Sequence, residues 1–205
     1  MKRLSIALLV IMVSMASCTT NREKQIAEES PPYSFLPEPL DDDWSKWLVG
    51  EWEGSGESDT GTGKVCATIE LGLNGQFLIM KGEGEINEMT AEQKRYLKET
   101  MHASDEDIEE FQTSTFKGLE IRTIDPKTGE IIGYGFDSLR CIYKGAGKLE
   151  GNKEIMQWEW QCSGQRASSI RITEKVSDDK LIITEKYTLP DGSIMEDKGE
   201  MTRKR

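Results

Sequence analysis

The chain has a single histidine, His102, in 205 residues. One imidazole cannot build a multi-histidine metal cage, and the lone histidine stands near no candidate serine or cysteine nucleophile. The four cysteines, Cys18, Cys66, Cys141 and Cys162, stand far apart rather than at zinc-binding spacing. There is no acidic loop of EF-hand form and no nucleophile-elbow glycine pattern. No metal, no cofactor and no catalytic residue is therefore expected, and a hydrolase would have nothing to carry its chemistry. Basic residues are also scarce: 26 Lys and Arg stand against 37 Asp and Glu, a formal charge of −11. That balance argues against a groove that neutralises phosphates, so nucleic acid is not an expected partner. The apolar run near the start, "LSIALLVIMV", falls short of the roughly 20 residues that cross a bilayer.

What that run does supply is the middle of an export signal. "MKR" gives a positive region, "LSIALLVIMV" the apolar one, and "SMASC" a small-residue site ending in Cys18, over residues 1–18. "MASC" resembles the lipobox of bacterial lipoproteins, in which the cysteine is acylated and becomes the mature N-terminus. The resemblance implies a lipid-anchored protein of the bacterial cell envelope. Thr19 replaces the aspartate of an inner-membrane retention signal, which favours the outer membrane, facing the periplasm. An ordinary signal peptide with a chance cysteine is the alternative. The lipid bilayer is then a partner through acylated Cys18, because two or more acyl chains at about 0.8 kcal/mol per buried CH₂ hold a protein with no membrane-binding face. Residues 19–40, "TTNREKQIAEESPPYSFLPEPL", are polar and then proline-bearing, the composition of an extended tether.

From residue 41 to 205 the pattern becomes one of short apolar segments separated by turn residues. "LVGEWEGSGE", "KVCATIEL" and "FLIMKGEGEI" open the series, and "LEIRTIDPKTGEIIGYGF" reads as a hairpin around Pro126 and Gly129. "RCIYKGAGKLE", "KEIMQWEWQC", "SIRITEKV", "KLIITEKYTL" and "SIMEDKGEMTRK" complete about ten strands. Sequential strands with tight turns predict an antiparallel up-and-down meander, closed into a barrel or left as an open sandwich. Closure removes the exposed edges, and glycines inside the strands favour sharp coiling, so the barrel is preferred. One segment, 90–112, breaks the pattern with two helix-start signatures, Thr90 with Gln93 and Ser104 with Asp107. It predicts a two-helix insert, either a lid over one barrel end or simple packing there.

Three tryptophans, Trp44, Trp47 and Trp52, lie within "WSKWLVGEWEG". "WLVGEWEG" resembles the start of lipocalin-like, or calycin, barrels, and is similar to bacterial families of uncharacterised domains that begin with an apolar pair, then glycine, any residue, tryptophan. The resemblance implies that Trp52, beside Gly50, packs across the barrel base and that an arginine of the last strand, Arg203, lies over its ring. The opening is also similar to that of nitrobindin, a haem-binding barrel whose iron is held by a histidine near the barrel end. Here the single histidine falls in the insert, beside acidic neighbours, which argues against haem. Glu51 and Glu53 flank Trp52 and by alternation point outward.

Two function classes follow. In the first the barrel binds an apolar or amphipathic small molecule, without enzymatic chemistry, and Phe77, Tyr134, Trp158 and Trp160 are the candidate lining residues, with Ile79 and Ile132 also read as interior. In the second the barrel is filled and serves as a structural or protein-interaction module of the envelope. For the cysteines, a turn centred on Gly151 and Asn152 sets Cys141 opposite Cys162 and Tyr143 opposite Trp160, and directly opposed cysteines in an exported protein pair. A register slip or a bulge near Gly145 and Gly147 would separate them. Cys66 is left as a buried thiol in its strand.

Overall fold

A computed structural model describes residues 38–205 apart from 60, 101, 163–164 and 190–191, and without the side chains of Tyr96 and Thr100. The expected signal over 1–18, the lipobox with Cys18, and the tether as far as residue 37 lie outside the described residues. The unit Pro39–Arg205 is a ten-stranded antiparallel barrel. Its strands are β1 (Gly50–Ser58), β2 (Gly61–Gly72), β3 (Phe77–Met89), β4 (Thr115–Ile124), β5 (Ile131–Asp137), β6 (Ile142–Glu150), β7 (Lys153–Cys162), β8 (Gln165–Ser177), β9 (Lys180–Thr188) and β10 (Ile194–Arg203). Each pairs with its successor, and β1 also pairs with β10, so every edge is hydrogen-bonded. The open sandwich is thereby set aside.

The tryptophan-rich opening does something alternation alone would not suggest. Instead of running straight into a strand, it first forms α1 (Asp43–Leu48). Asp42 caps this helix by accepting from Ser45 N at 2.8 Å, with Asp43 in the first turn and Lys46 in the last, each complementing the backbone dipole. Trp44, Ser45 and Leu48 share the buried face, so the helix lies as a plug against one end of the barrel. Its indoles stack onward, Trp44 to Trp47 at 5.0 Å and Trp47 to Trp52 at 5.4 Å between ring centroids. All three indole N–H groups are bonded: Trp44 to Glu154, Trp47 to Asp178 O and Trp52 to Leu48 O. Ile69, Leu78, Leu181 and Met201 complete this core, and Leu40, bonded through its N–H to Gly75 O, packs against it.

Arg203 closes the seam. Its guanidinium lies 4.3 Å from the Trp52 ring centroid, bonds Val49 O at 2.6 Å and also reaches Trp47 O. A Cβ on Gly50, whose φ is +144°, would collide with that guanidinium, so the glycine is required.

At the other end, α2 (Ala91–Thr100) and α3 (Asp105–Thr113) connect β3 to β4. Gln93 N donates to the Thr90 hydroxyl, and Ser104 and Asp107 form a reciprocal capping box. Ile108 is buried, and Phe111 stacks on Phe116 at 4.9 Å. Among the described residues no helix is long and apolar enough to cross a membrane.

Candidate functional site

The interior of the barrel is filled near α1 and hollow toward the α2–α3 end. Strand alternation explains both halves. On β7 the inward residues are Glu154, Met156, Trp158 and Trp160. Trp158, 2% exposed, lies across the β5–β6 wall, where only glycine admits it: a Cβ on Gly145 would stand 2.5 Å from the indole and one on Gly133 2.6 Å. Further along the lumen the glycines have the opposite effect. A Cβ on Gly82 or Gly118 would meet nothing closer than 3.8 Å, so these positions leave open space. The result is a cavity of about 620 Å³ whose apolar wall includes Val65, Met80 and Ile183, with Gln93, Met89 and Phe111 at the helical end.

The floor of this cavity is charged. Glu154, Arg122, Glu120, Arg171 and Glu185 form a chain in which each guanidinium is held between two carboxylates. Arg171 bonds Glu185 at 2.7 Å and Glu120 at 2.9 Å, and Ser169 donates to Glu185 at 2.6 Å. Both arginines also lie over Trp158, at 5.8 Å and 5.3 Å from its centroid. Burial alone would raise the Glu120 carboxyl, but the Arg122 and Arg171 charges hold it below its ordinary value. Burial likewise opposes the charge on Arg171, and Glu185 and Glu120 overcome it, so the guanidinium is held firmly protonated.

Above the floor stand two tyrosine–aspartate pairs. Tyr143 donates to Asp137, whose Oδ1 also takes the N–H groups of Leu139 and Cys141. Burial, then that hydrogen bond, pushes the Tyr143 hydroxyl up. Tyr187 and Ser58 bond Asp197, whose carboxyl is raised first by burial and further by Glu185 and Asp59. Three polar atoms of this region, Nε1 of Trp158, Nε1 of Trp160 and Oδ1 of Asp197, are buried with no hydrogen-bond partner among the described residues.

Comparison with solved structures finds the same architecture at very low identity. Rv2717c from M. tuberculosis superposes with a TM-score of 0.53 at 8% identity, over 78% of this chain and 94% of that one. The shared fold is a closed antiparallel β-barrel. An S-type phycobiliprotein lyase from Guillardia theta matches with a TM-score of 0.49 at 10% identity, over 79% of this chain and 91% of that one. A protein of unknown function from the DUF3598 family of Nostoc punctiforme matches with a TM-score of 0.38 at 10% identity, over 84% of this chain and 54% of that one. At such identities the likeness is one of fold alone. No family model matches the sequence, and no curated protein does.

Within the barrel the expected residues divide. Gly50, Trp52 and Arg203 meet at the closed end. Trp158 lines the cavity, and Trp160 shares its face and stacks on Tyr187 at 6.3 Å. Phe77 and Tyr134 do not line it. Phe77 lies on the outer face of β3 with Ile79, and Tyr134, 48% exposed, lies on the outer face of β5 with Ile132. Both strands are apolar on both faces, which removes the alternation that would orient them. Their inward residues are Leu78, Met80 and Gly82 on β3, and Ile131, Gly133 and Gly135 on β5. Cys141 and Cys162 are joined by a disulfide, and Tyr143 faces Trp160, in the register set by the turn at Gly151 and Asn152. Cys66 is exposed on the outer face of β2, not buried, because Val65 and Ala67 take the inward positions. His102 is exposed between α2 and α3 rather than within a helix, with a φ of 56°, and does not line the cavity. Among the described residues no group of three or more His, Cys, Asp or Glu could hold a metal ion.

The residues that reading the sequence missed are the lumenal charges. Their signal lies in "LEIRTI" and "SIRITEKV", where Glu120, Arg122 and Arg171 alternate with apolar residues and point inward. Leu119, Phe136, Ile142 and Ile170 are exposed on the outer wall, so apolar side chains do not mark the inside here.

Proposed function

We propose that this chain is a membrane-anchored lipoprotein whose barrel binds an apolar or amphipathic small molecule without transforming it. The observation that carries the reading is the cavity, about 620 Å³ and within the usual size range of ligand sites. Its wall is mainly apolar with a few convergent polar groups, the composition that fixes the orientation of a ligand. Two glycines that open space, Gly82 and Gly118, set it apart from a filled barrel.

Anchoring is supported by the leader and by the "MASC" site at Cys18, and a disulfide between Cys141 and Cys162 suits an exported protein. With a charge of −11 the protein has little electrostatic attraction to anionic lipid, so acyl chains would supply the attachment to the envelope. Native mass spectrometry of the protein purified from its own host tests the binding reading. A recurrent small-molecule adduct that disappears in Gly82→Phe is expected. Repeated preparations with no adduct would count against it.

A further inference from the structure

The cavity is polar in an unequal way. Four carboxylates, Glu120, Asp137, Glu185 and Asp197, face it with one guanidinium, that of Arg171. Glu57, Lys64 and Lys198 also border it, but by alternation their exposed side chains lie on the outer wall. Three of the four carboxylates are committed: Glu120 to both arginines, Glu185 to Arg171 and Ser169, and Asp137 to Tyr143 and two backbone N–H groups. Asp197 has no ion-pair partner among the described residues. Its register partner on β9 is Glu185, so two carboxylates stand directly opposite each other, an unfavourable arrangement without a shared positive charge. Ser58 and Tyr187 bond Asp197, yet its Oδ1 is buried with no hydrogen-bond partner among the described residues. Such an atom costs free energy that a bound donor would recover.

A second observation comes from the opposite kind of group. Trp158 is 2% exposed, and the edge of its indole carrying Cε3 and Cζ3 abuts Gly133 and Gly145. The opposite edge, with Nε1, lies away from that wall, and Nε1 is buried with no hydrogen-bond partner among the described residues. A residue with an unmet acceptor and one with an unmet donor thus both line a cavity whose remaining wall includes Val65, Met80 and Ile183.

We infer that the ligand class is a protonated amine with an apolar body, its ammonium group on Asp197 beside Glu185 and an acceptor atom offered to Trp158 Nε1. This rests on the reading of the barrel as a ligand-binding cavity. An ammonium group supplies the charge and the donors that Asp197 lacks, and the apolar body covers the aliphatic wall. Among the described residues that point into the lumen, a fatty acid or other anionic amphiphile meets only arginines already engaged, since Arg171 and, beneath it, Arg122 are each held by two carboxylates. The raised Asp197 carboxyl fits the same picture, because a bound cation offsets both its burial and its neighbour Glu185.

Three probes of equal chain length separate the possibilities: decylamine, decanol and decanoate. Each is titrated into the full chain carrying Cys18→Ala, which needs no detergent, at pH 7.5 and with tryptophan fluorescence as readout. Decylamine is expected to bind about tenfold or more tightly than decanol, the factor one charge-assisted hydrogen bond contributes, with decanoate weakest. Asp197→Asn, nearly identical in shape, should bring decylamine to the level of decanol. If decanol and decanoate bind as tightly as decylamine, or if Asp197→Asn keeps the preference for the amine, the amine class is overturned while the binding barrel stands. If none of the three binds, the binding barrel falls and the inference with it.

Discussion

Two side chains show how differently burial acts on this protein. Trp52 is almost wholly buried, bonded through its N–H and covered by Arg203, so its removal leaves a large void. Trp52→Ala should cost about 3–5 kcal/mol, read from chemical denaturation of the purified protein. A midpoint equal to wild type would take Trp52 out of the core. Asp197 is the reverse case, a carboxyl whose burial raises it above its ordinary value of 3.8. A raised acid favours folding in its protonated form, so its penalty is absent below pH 3.8 and grows as pH rises through the folded value. Asp197→Asn should therefore raise the melting temperature at pH 7.5, with the gain shrinking toward pH 4. A lower melting temperature at pH 7.5 would mean that the carboxylate stabilises the fold. Gly50 and Trp52 were legible in a short motif, and Arg203 through the resemblance that the motif carries. Asp197 was not, since nothing in "SIMEDKGEMTRK" distinguishes its carboxylate from the exposed Glu196 and Glu200 beside it.

Elements were legible where their chemistry is local. The turn at Gly151 and Asn152 gives the β6–β7 register, and Thr90 and Ser104 mark the starts of α2 and α3. Helix α1 went unread although Asp42 with Asp43 is an N-cap signal, because the glycine–any–tryptophan motif just beyond drew the whole run toward a strand. The facing of β3 and β5 was illegible for a different reason: "FLIM" and "IIGYGF" are apolar on both sides. Here the glycines carry the information. Gly145→Ala sets a methyl against the Trp158 ring and should cost about 1–3 kcal/mol by overpacking, whereas Gly82→Ala, with open space at its Cβ, should be far milder. Equal losses in thermal unfolding would contradict the facing assigned to β3 and β6. The disulfide closes a sequence separation of 21, so reduction should lower stability by up to about 3 kcal/mol, checked by denaturation with and without reductant.

For the whole molecule, the sequence pointed to a closed barrel because ten segments follow one another with tight turns and closure removes exposed edges, and in the described barrel every strand is paired on both sides. It could not decide between a hollow and a filled lumen, since that depends on which face each glycine serves. Attachment to the envelope is a separate matter and has its own test: Cys18→Ala should move the protein from the membrane fraction to the soluble one, and retention on membranes after a high-salt wash would reject the anchor. The claim on which the rest depends is that the lumen receives a ligand. The direct measurement is isothermal calorimetry of decanol binding to wild type and to Gly82→Phe, whose ring would occupy the open space at that position. One decanol per chain with a negative heat-capacity change, weakened about tenfold or more in Gly82→Phe at an unchanged melting temperature, is the expected result. Equal affinity in the two proteins would place the alcohol elsewhere and contradict a ligand-binding lumen.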